Sequence, residues 1–455
     1  GARQVFGVSR GSYDPSFALG FSIDRTDSPL NSIIVSGIPE VITSSIALQT
    51  RYSQAFPMGS SFSVGFNNMR QRTTQSFLRY NPVAVSQLTV SVTQNLLSGF
   101  GNSIGKRFIE VGKNEQRIMK EIVRLQVNTT LAQAQNTYWD LVAARDNVRV
   151  AERSLAVAKQ LLENNKKKEE IGTASGLDVT TSASEVAARE RDLVTAQASM
   201  QMREVELKNV ISKNTSDLLG PVQIEPADVL PDPKDSDIPK VTDALETAMR
   251  NRSEISQAEV NLETQDIAIK YEKDLLKPTL LLFANFNSSG LYGDRTITDP
   301  ASGTKVVLPG GIWGAMGLVR RWTYPDYAVG FSFSLNIRNR AAESDMYRAK
   351  LERQQTQIGL QRTRNSIALE VRKALIGLTQ SKAQVEAAQK AAKLTGDALA
   401  AEEAKLMEGS SIPYEVIRRQ RDYIAAQVAE VQARASYAKA LVERDRAMGI
   451  LEPKK

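Results

Sequence analysis

Two short polar turns interrupt this chain in similar surroundings: "EEIGTASGLDVTTSASE", residues 169–185, and "LMEGSSIPYEVIRRQRD", residues 406–422. Laying Gly172 on Gly409 sets Leu177 on Tyr414, Asp178 on Glu415 and Val179 on Val416 without a gap, a constant shift of 237 positions. Each turn closes a long proline-free run, residues 102–170 in the first case and 338–407 in the second. At 1.5 Å rise per residue a helix of that length reaches on the order of 100 Å, which outruns any compact domain. After each turn a helix about half as long must run back antiparallel. The sequence is therefore an internal duplication of one helical hairpin. Ile104, Phe108, Val111, Ile118, Ile122 and Leu125 follow the spacing of a coiled-coil seam, interrupted by Glu115, and Leu131, Ala134, Tyr138 and Leu141 carry the stripe onward.

Ahead of each long helix the period changes from helical to two. In "SFALGFSID", Phe17, Leu19, Phe21 and Ile23 share one face, and Ala18, Gly20, Ser22 and Asp24 the other. "QLTVSVTQ" and "AVGFSFSL" repeat the pattern, and "PTLLLFANFN" from Pro278 is a more apolar version. "IALQTRYSQAF" and "SFSVGFNNMR" are joined by "PMGS" at 57–60 and read as a hairpin. For a single strand, a soluble β-sandwich is the simplest account. Small residues on the opposite face, with Tyr13, Phe77, Tyr80, Trp313, Trp322, Tyr324 and Tyr327 near strand ends, favour a membrane-spanning β-barrel with aromatic girdles.

Composition narrows function by exclusion. The chain has neither cysteine nor histidine, which removes disulfides, thiolate metal sites and the commonest general base. No G-x-S-x-G elbow, P-loop or dinucleotide fingerprint occurs, so the expectation is no enzyme, no cofactor and no metal. The 58 basic and 51 acidic residues leave a net charge of +7 spread along the chain, giving no concentrated basic face for nucleic acid. No stretch approaches eighteen consecutive apolar residues, so no transmembrane helix is expected.

Between the copies, residues 214–240 carry prolines at 221, 226, 231, 233 and 239 and read as an extended linker. The expected division is 1–101 for strands of the first repeat with the extra hairpin, 102–213 for its helical hairpin, 214–240 for the linker, 241–277 for a helix of the second repeat, 278–337 for its strands and 338–455 for its helical hairpin. The first repeat lacks a counterpart to 241–277, so one further helix is expected upstream in the native mature protein. Four to six strands in one chain cannot close a barrel, which needs about eight. Closure calls for other copies. The competing reading is a non-transport coiled-coil scaffold with a β end domain, which differs in burying the apolar strand faces.

In this order, "YDPSF", "VTQNLLSGFG", "IGTASGLDV", "KPTLLL" and "EGSSIPYEV" resemble the TolC-type outer-membrane efflux proteins, or outer-membrane factors, across nearly the whole chain. The resemblance implies a mixed α+β membrane protein. Its long antiparallel coiled-coil hairpins would form an α-barrel across the periplasm, joined to a trimeric transmembrane β-barrel in outer-membrane lipid. The implied function is a passive exit duct of a tripartite efflux or type I secretion system, docked to a periplasmic adaptor (membrane fusion) protein and an inner-membrane pump of RND or ABC type.

The resemblance makes the twin turns the far tips of the hairpins. Gly172 and Gly409 would permit the reversal, and Thr173, Ser175, Ser410 and Ser411 would face the adaptor. Asp178 and Glu415 match an acidic position that lines the narrow end of the tunnel in relatives, although plain helix capping explains both equally well. A second acid of some relatives falls on Arg418, so that residue joins the candidate constriction with opposite charge. The Tyr and Arg that tether hairpins in some relatives fall on Leu406 and Ser411, and that lock is not carried over. Lys166, Lys167 and Lys168 read as a solvated helix end. The family's usual four strands would leave the 46–70 hairpin extending the sheet from outside.

Overall fold

Alternation of apolar with small or polar residues, read above from single strands, becomes one surface once the strands pair. The computed structural model describes residues 7, 10–29, 39–75, 77–173, 175–212, 222–298 and 303–451. It divides into two units, one of residues 1–119 with 260–357 and another of 120–259 with 358–455.

The first unit holds β1 (Ser16–Pro29), β2 (Glu40–Phe56), β3 (Ser60–Thr73), β4 (Val83–Asn95), β5 (Thr279–Gly293), the short β6 (Arg295–Thr298) and β7 (Lys305–Leu308), and β8 (Pro325–Ser334). Six of these form one antiparallel sheet in the order β1-β2-β3-β4-β5-β8, while β6 and β7 pair separately. The register runs one line of neighbours through Phe17, Tyr52, Val64, Val90, Phe286 and Tyr327. The next line, on the opposite face, reads Ala18, Arg51, Gly65, Thr89, Asn287 and Asp326. A slip by one residue would exchange these faces, so the pattern fixes the pairing.

This overturns the expectation of a four-stranded sheet with the hairpin outside. The 40–73 hairpin lies within the sheet, paired along its length to β1 on one side and β4 on the other. The physical reason is that both hairpin strands carry the same alternation as their neighbours. Its turn is also tied down, since the Gly101 amide donates to the Met58 carbonyl at 3.3 Å and the Asn95 amide to that of Gly59 at 3.0 Å.

Chain β4 leads through α1 (Asn102–Gly105) into α2 (Arg107–Glu170), which is followed by α3 (Gly176–Ile211). The second repeat adds α4 (Val241–Asn251) and α5 (Ser253–Leu275) before β5, α6 (Ile312–Arg320) between β7 and β8, and then α7 (Arg340–Met407) and α8 (Pro413–Met448). The described helices include none long and apolar enough to cross a membrane. Helix α6 rests on the sheet: the β5 residue Gly290 lies so close to the Ala315 carbonyl that a side chain would collide with it. The Ser288 hydroxyl donates to the Val319 carbonyl at 3.0 Å.

In the second unit the core is built of small residues and short apolar clusters. Leu378, Val385 and Tyr437 are fully buried together, and Val142, Ala143, Leu230 and Ala435 make a second cluster. The predicted seam holds at Leu141, which is buried, but Phe108 and Ile122 are exposed. Asn114 is buried instead, its amide donating to the Thr264 hydroxyl at 3.0 Å. A heptad stripe identifies apolar residues but not which of them a single chain covers.

The linker is extended where it is described, and it is held against the helices. Its residues 214–221 lie outside the described residues, and 222–240 are extended with one helical turn at Asp235–Asp237. It is a strap bound to helices. Leu230 is buried in the cluster with Val142, a burial worth about 1.5–3 kcal/mol. Tyr437 donates its hydroxyl to Asp237 at 2.7 Å, and Arg145 reaches the Asp228 carbonyl at 2.9 Å. Burial and the bond to Asp237 both push the Tyr437 phenol above its usual pKa.

Candidate functional site

Two features of the molecule have functional geometry: the apolar face of the sheet and the pair of helical turns. On the sheet, Phe17, Leu19, Phe21 and Ile23 of β1 are 65–71% exposed. Val329, Phe331 and Phe333 of β8, the other edge strand, are 55–75% exposed. A sandwich core would bury them, and leaving such residues in water is costly at roughly 25 cal/mol per Å² of apolar surface. A continuous exposed apolar face of this size calls for lipid or protein against it.

The two turns are built on one backbone plan. Gly172 and Gly409 have φ of 77° and 79°, the left-handed region where a Cβ is disfavoured. In the first, the Thr173 amide donates to the Lys168 carbonyl at 2.8 Å; in the second, the Ser410 amide donates to that of Lys405 at 2.9 Å. The Thr173 and Ser410 hydroxyls bond the same two carbonyls. These shared bonds close each helix with the same reversal.

The restarts differ. Ser175 caps α3, its hydroxyl accepting from the Leu177 amide at 3.2 Å, while the Asp178 carboxylate accepts from the Ser175 amide at 3.2 Å. This reciprocal capping box occupies Asp178. At the start of α8 the equivalent position is Ile412, which has no side chain to cap with, and Pro413 begins the helix. Glu415 is then free to reach Arg418, 3.7 Å away. Ser411 donates instead to Glu402 of α7, and that bond leads the causes holding the Glu402 carboxyl below its usual pKa. The structure thus brings Glu415 and Arg418 together, whereas Asp178 is engaged in capping its own helix.

Behind the turns the hairpins are joined by a group that sequence reasoning missed. Glu185 of α3 is 2% exposed and meets Arg421 of α8 at 2.5 Å and Arg189 at 2.9 Å. Burial works to raise the Glu185 pKa, but bonds and charge from Arg421 and Arg189 outweigh it and hold the carboxyl below its ordinary value. In sequence, Glu185 and Arg189 look like an ordinary surface pair four residues apart; only packing reveals their burial. Asn165 and Ser182 are likewise buried and bonded at 2.7 Å. Beside them, a cavity of about 530 Å³ is lined by Asn164, Lys168, Glu403, Met407 and Gln420, among others. Lys166 and Lys167 are exposed, as the charge run suggested. Among the described residues no acidic cluster is arranged to hold a metal ion.

Residues 244–449 match the sequence profile of the family described as "Outer membrane efflux protein". The match covers a little under half of the chain, from α4 through α8. No curated protein sequence matches the chain. Solved structures extend the likeness in fold to the whole length. The Campylobacter jejuni CmeC outer membrane channel aligns with a TM-score of 0.62 at 15% identity, over 98% of this chain and 80% of its own. The Vibrio cholerae outer membrane protein VceC gives 0.63 at 13% identity, over 98% and 90%. The Neisseria gonorrhoeae MtrE outer membrane channel, solved in an open state, gives 0.60 at 16% identity, over 98% and 83%.

The efflux family match sets this chain in the outer membrane, where an exposed apolar sheet face has lipid to meet. CmeC and MtrE, whose fold the chain shares, are outer membrane channels.

Proposed function

We propose that this efflux protein is a passive exit duct, assembled as a homotrimer whose sheets close one β-barrel in the outer membrane. The observation that carries this reading is the six-strand register, which gathers the apolar residues on one face and leaves that face open in the single chain. Each chain brings six strands, so three copies bring eighteen, an even number within the range of bacterial barrels. Edge strands β1 and β8 would pair between copies, which removes the open edges.

In this reading the paired helical hairpins form a periplasmic tunnel, and export is driven by an inner-membrane pump of RND or ABC type through a periplasmic adaptor. Thr173, Ser175, Ser410 and Ser411, beside Gly172 and Gly409, offer that adaptor small polar surface. Asp178, Glu415 and Arg418 stand nearest the candidate constriction, where rings of charge would set ion selectivity. Arg418 offsets Glu415 in this arrangement, so the ring is weakly rather than strongly cation-selective.

The test is single-channel conductance of the purified protein in a planar bilayer, with its mass in detergent. Conducting trimers are the expected result, and Glu415→Gln is expected to shift ion selectivity toward anions. A water-soluble species without current would return the scaffold reading.

A further inference from the structure

The apolar face of the sheet is not apolar along its whole height. Charged residues occur on it only near the β1–β2 and β3–β4 connections: Arg25 and Asp27 of β1, Glu40 of β2, and Arg70 and Arg72 of β3. Arg70 lies in one line with Ile23, Ile46, Ala84 and Tyr292, and Arg72 shares the next line with Ser44 and Arg25. All three arginines are exposed and make no ion pair among the described residues. A cation on the lipid side of a barrel costs about 2–4 kcal/mol at mid-membrane but close to nothing at the interface. Their common height therefore marks a headgroup level.

Aromatic residues collect at the same height. Tyr292 is stacked on Tyr80 at 6.0 Å between centroids, and the Arg79 guanidinium lies 5.3 Å from the centre of the Tyr80 ring. Helix α6 sits over this part of the face, packed on Tyr292 through Gly314, and its Trp313 is 81% exposed. Beneath it Asn68 and Ser86, polar residues of the same face, are buried and bonded to each other at 2.6 Å. The helix thus covers the polar interruption of the face and carries an exposed indole next to the glycine that packs on Tyr292. Aromatic residues beside Arg at one height are the composition that suits a membrane interface.

We infer that Arg70, Arg72 and Arg79, together with Trp313 of α6, form an external docking surface for phosphate-bearing lipid headgroups. The inference rests on the outer-membrane barrel reading. Guanidinium groups take phosphate through two parallel N–H donors, and the acids of this face, Asp27 and Glu40, belong to β1 and β2 rather than to the β3–β4 side. The fitting occupant is a phosphorylated glycolipid, whose phosphates meet the arginines while its acyl chains run along Phe66 and Leu88 on the same face.

The test compares binding of diphosphorylated lipid A with the same lipid stripped of phosphate, using the full chain in detergent and a triple variant, Arg70→Gln/Arg72→Gln/Arg79→Gln. The parent is expected to prefer the phosphorylated form by at least about tenfold, and the variant to lose that preference. Equal binding of both lipids by the parent, or an undiminished preference in the variant, would overturn the proposal. Insertion of the parent into phosphatidylcholine vesicles separates the two readings. A protein that inserts without phosphate preference removes this inference alone, while one that does not insert removes the barrel reading with it.

Discussion

The two helical turns share a backbone and differ in the chemistry that secures it. In the first, closure is local and neutral in effect: Ser175 and Asp178 cap their own helix, and Asn165 bonds Ser182. In the second, the positions 237 residues on are Ile412, Glu415, Glu402 and Arg419, and charge replaces capping. Glu415 faces Arg418, while Glu402 takes the Ser411 hydroxyl and feels Arg419. Duplication preserved the shape of the reversal, fixed by glycine and the shared carbonyl bonds, and left its reinforcement free to diverge. Salt should therefore loosen the second turn more than the first, because exposed charge pairs are screened more than short capping hydrogen bonds.

The strongest way to break the comparison is to remove what both turns depend on. Glu185→Ala leaves the nearly buried Arg189 with Asp192 alone and frees Arg421, and a loss of roughly 2–3 kcal/mol is expected, read as faster hydrogen exchange along both α3 and α8. Gly172→Ala and Gly409→Ala should each cost about 1–2 kcal/mol. Nothing lies within 4 Å of either added carbon, so the whole cost is backbone strain and the two losses should match. Unequal losses in proteolysis of the turns would show that the reversals are not equivalent.

Smaller effects sharpen the contrast. Ser175→Ala removes a cap and should cost about 1 kcal/mol, whereas Ile412→Ser supplies one and should gain a few tenths to about 1 kcal/mol; exchange at the first turn of each returning helix measures both. Acid should act through Glu185. Its carboxyl titrates below the ordinary value of 4.5 in the folded chain, so its contribution is complete above that pH and fades as pH falls through the folded value. Exchange at α3 and α8 should hold steady between pH 7 and 5 and rise below about 4.5. A rise that begins near neutrality would assign the effect to another group.

What the sequence made legible was whatever depends on period and local chemistry. Six strands, four long helices and both turns follow from alternation, absence of proline and paired glycines. The place of the 40–73 hairpin was not legible, because two strands of matching alternation fit inside a sheet or beside it equally well until register is known. The strap at 222–240 hid behind its prolines, which forbid helix but say nothing about Leu230 entering a core or Asp237 holding Tyr437. At the candidate site, Gly172 and Gly409 were readable from φ demands alone. Asp178 as cap and Glu415 as ion-pair partner look alike in one dimension, and only Ser175 against Ile412 at the preceding cap position separates them.

The hairpin inserted between β1 and β4 has a consequence for growth of such a sheet. An added single strand would reverse the direction of everything beyond it, so that the two rims could no longer meet antiparallel. An added hairpin preserves parity: β1 and β8 remain the rims, run as they would without it, and offer a neighbouring copy the same two surfaces. Circumference can thus increase in steps of two strands per chain while the rule of assembly stays unchanged.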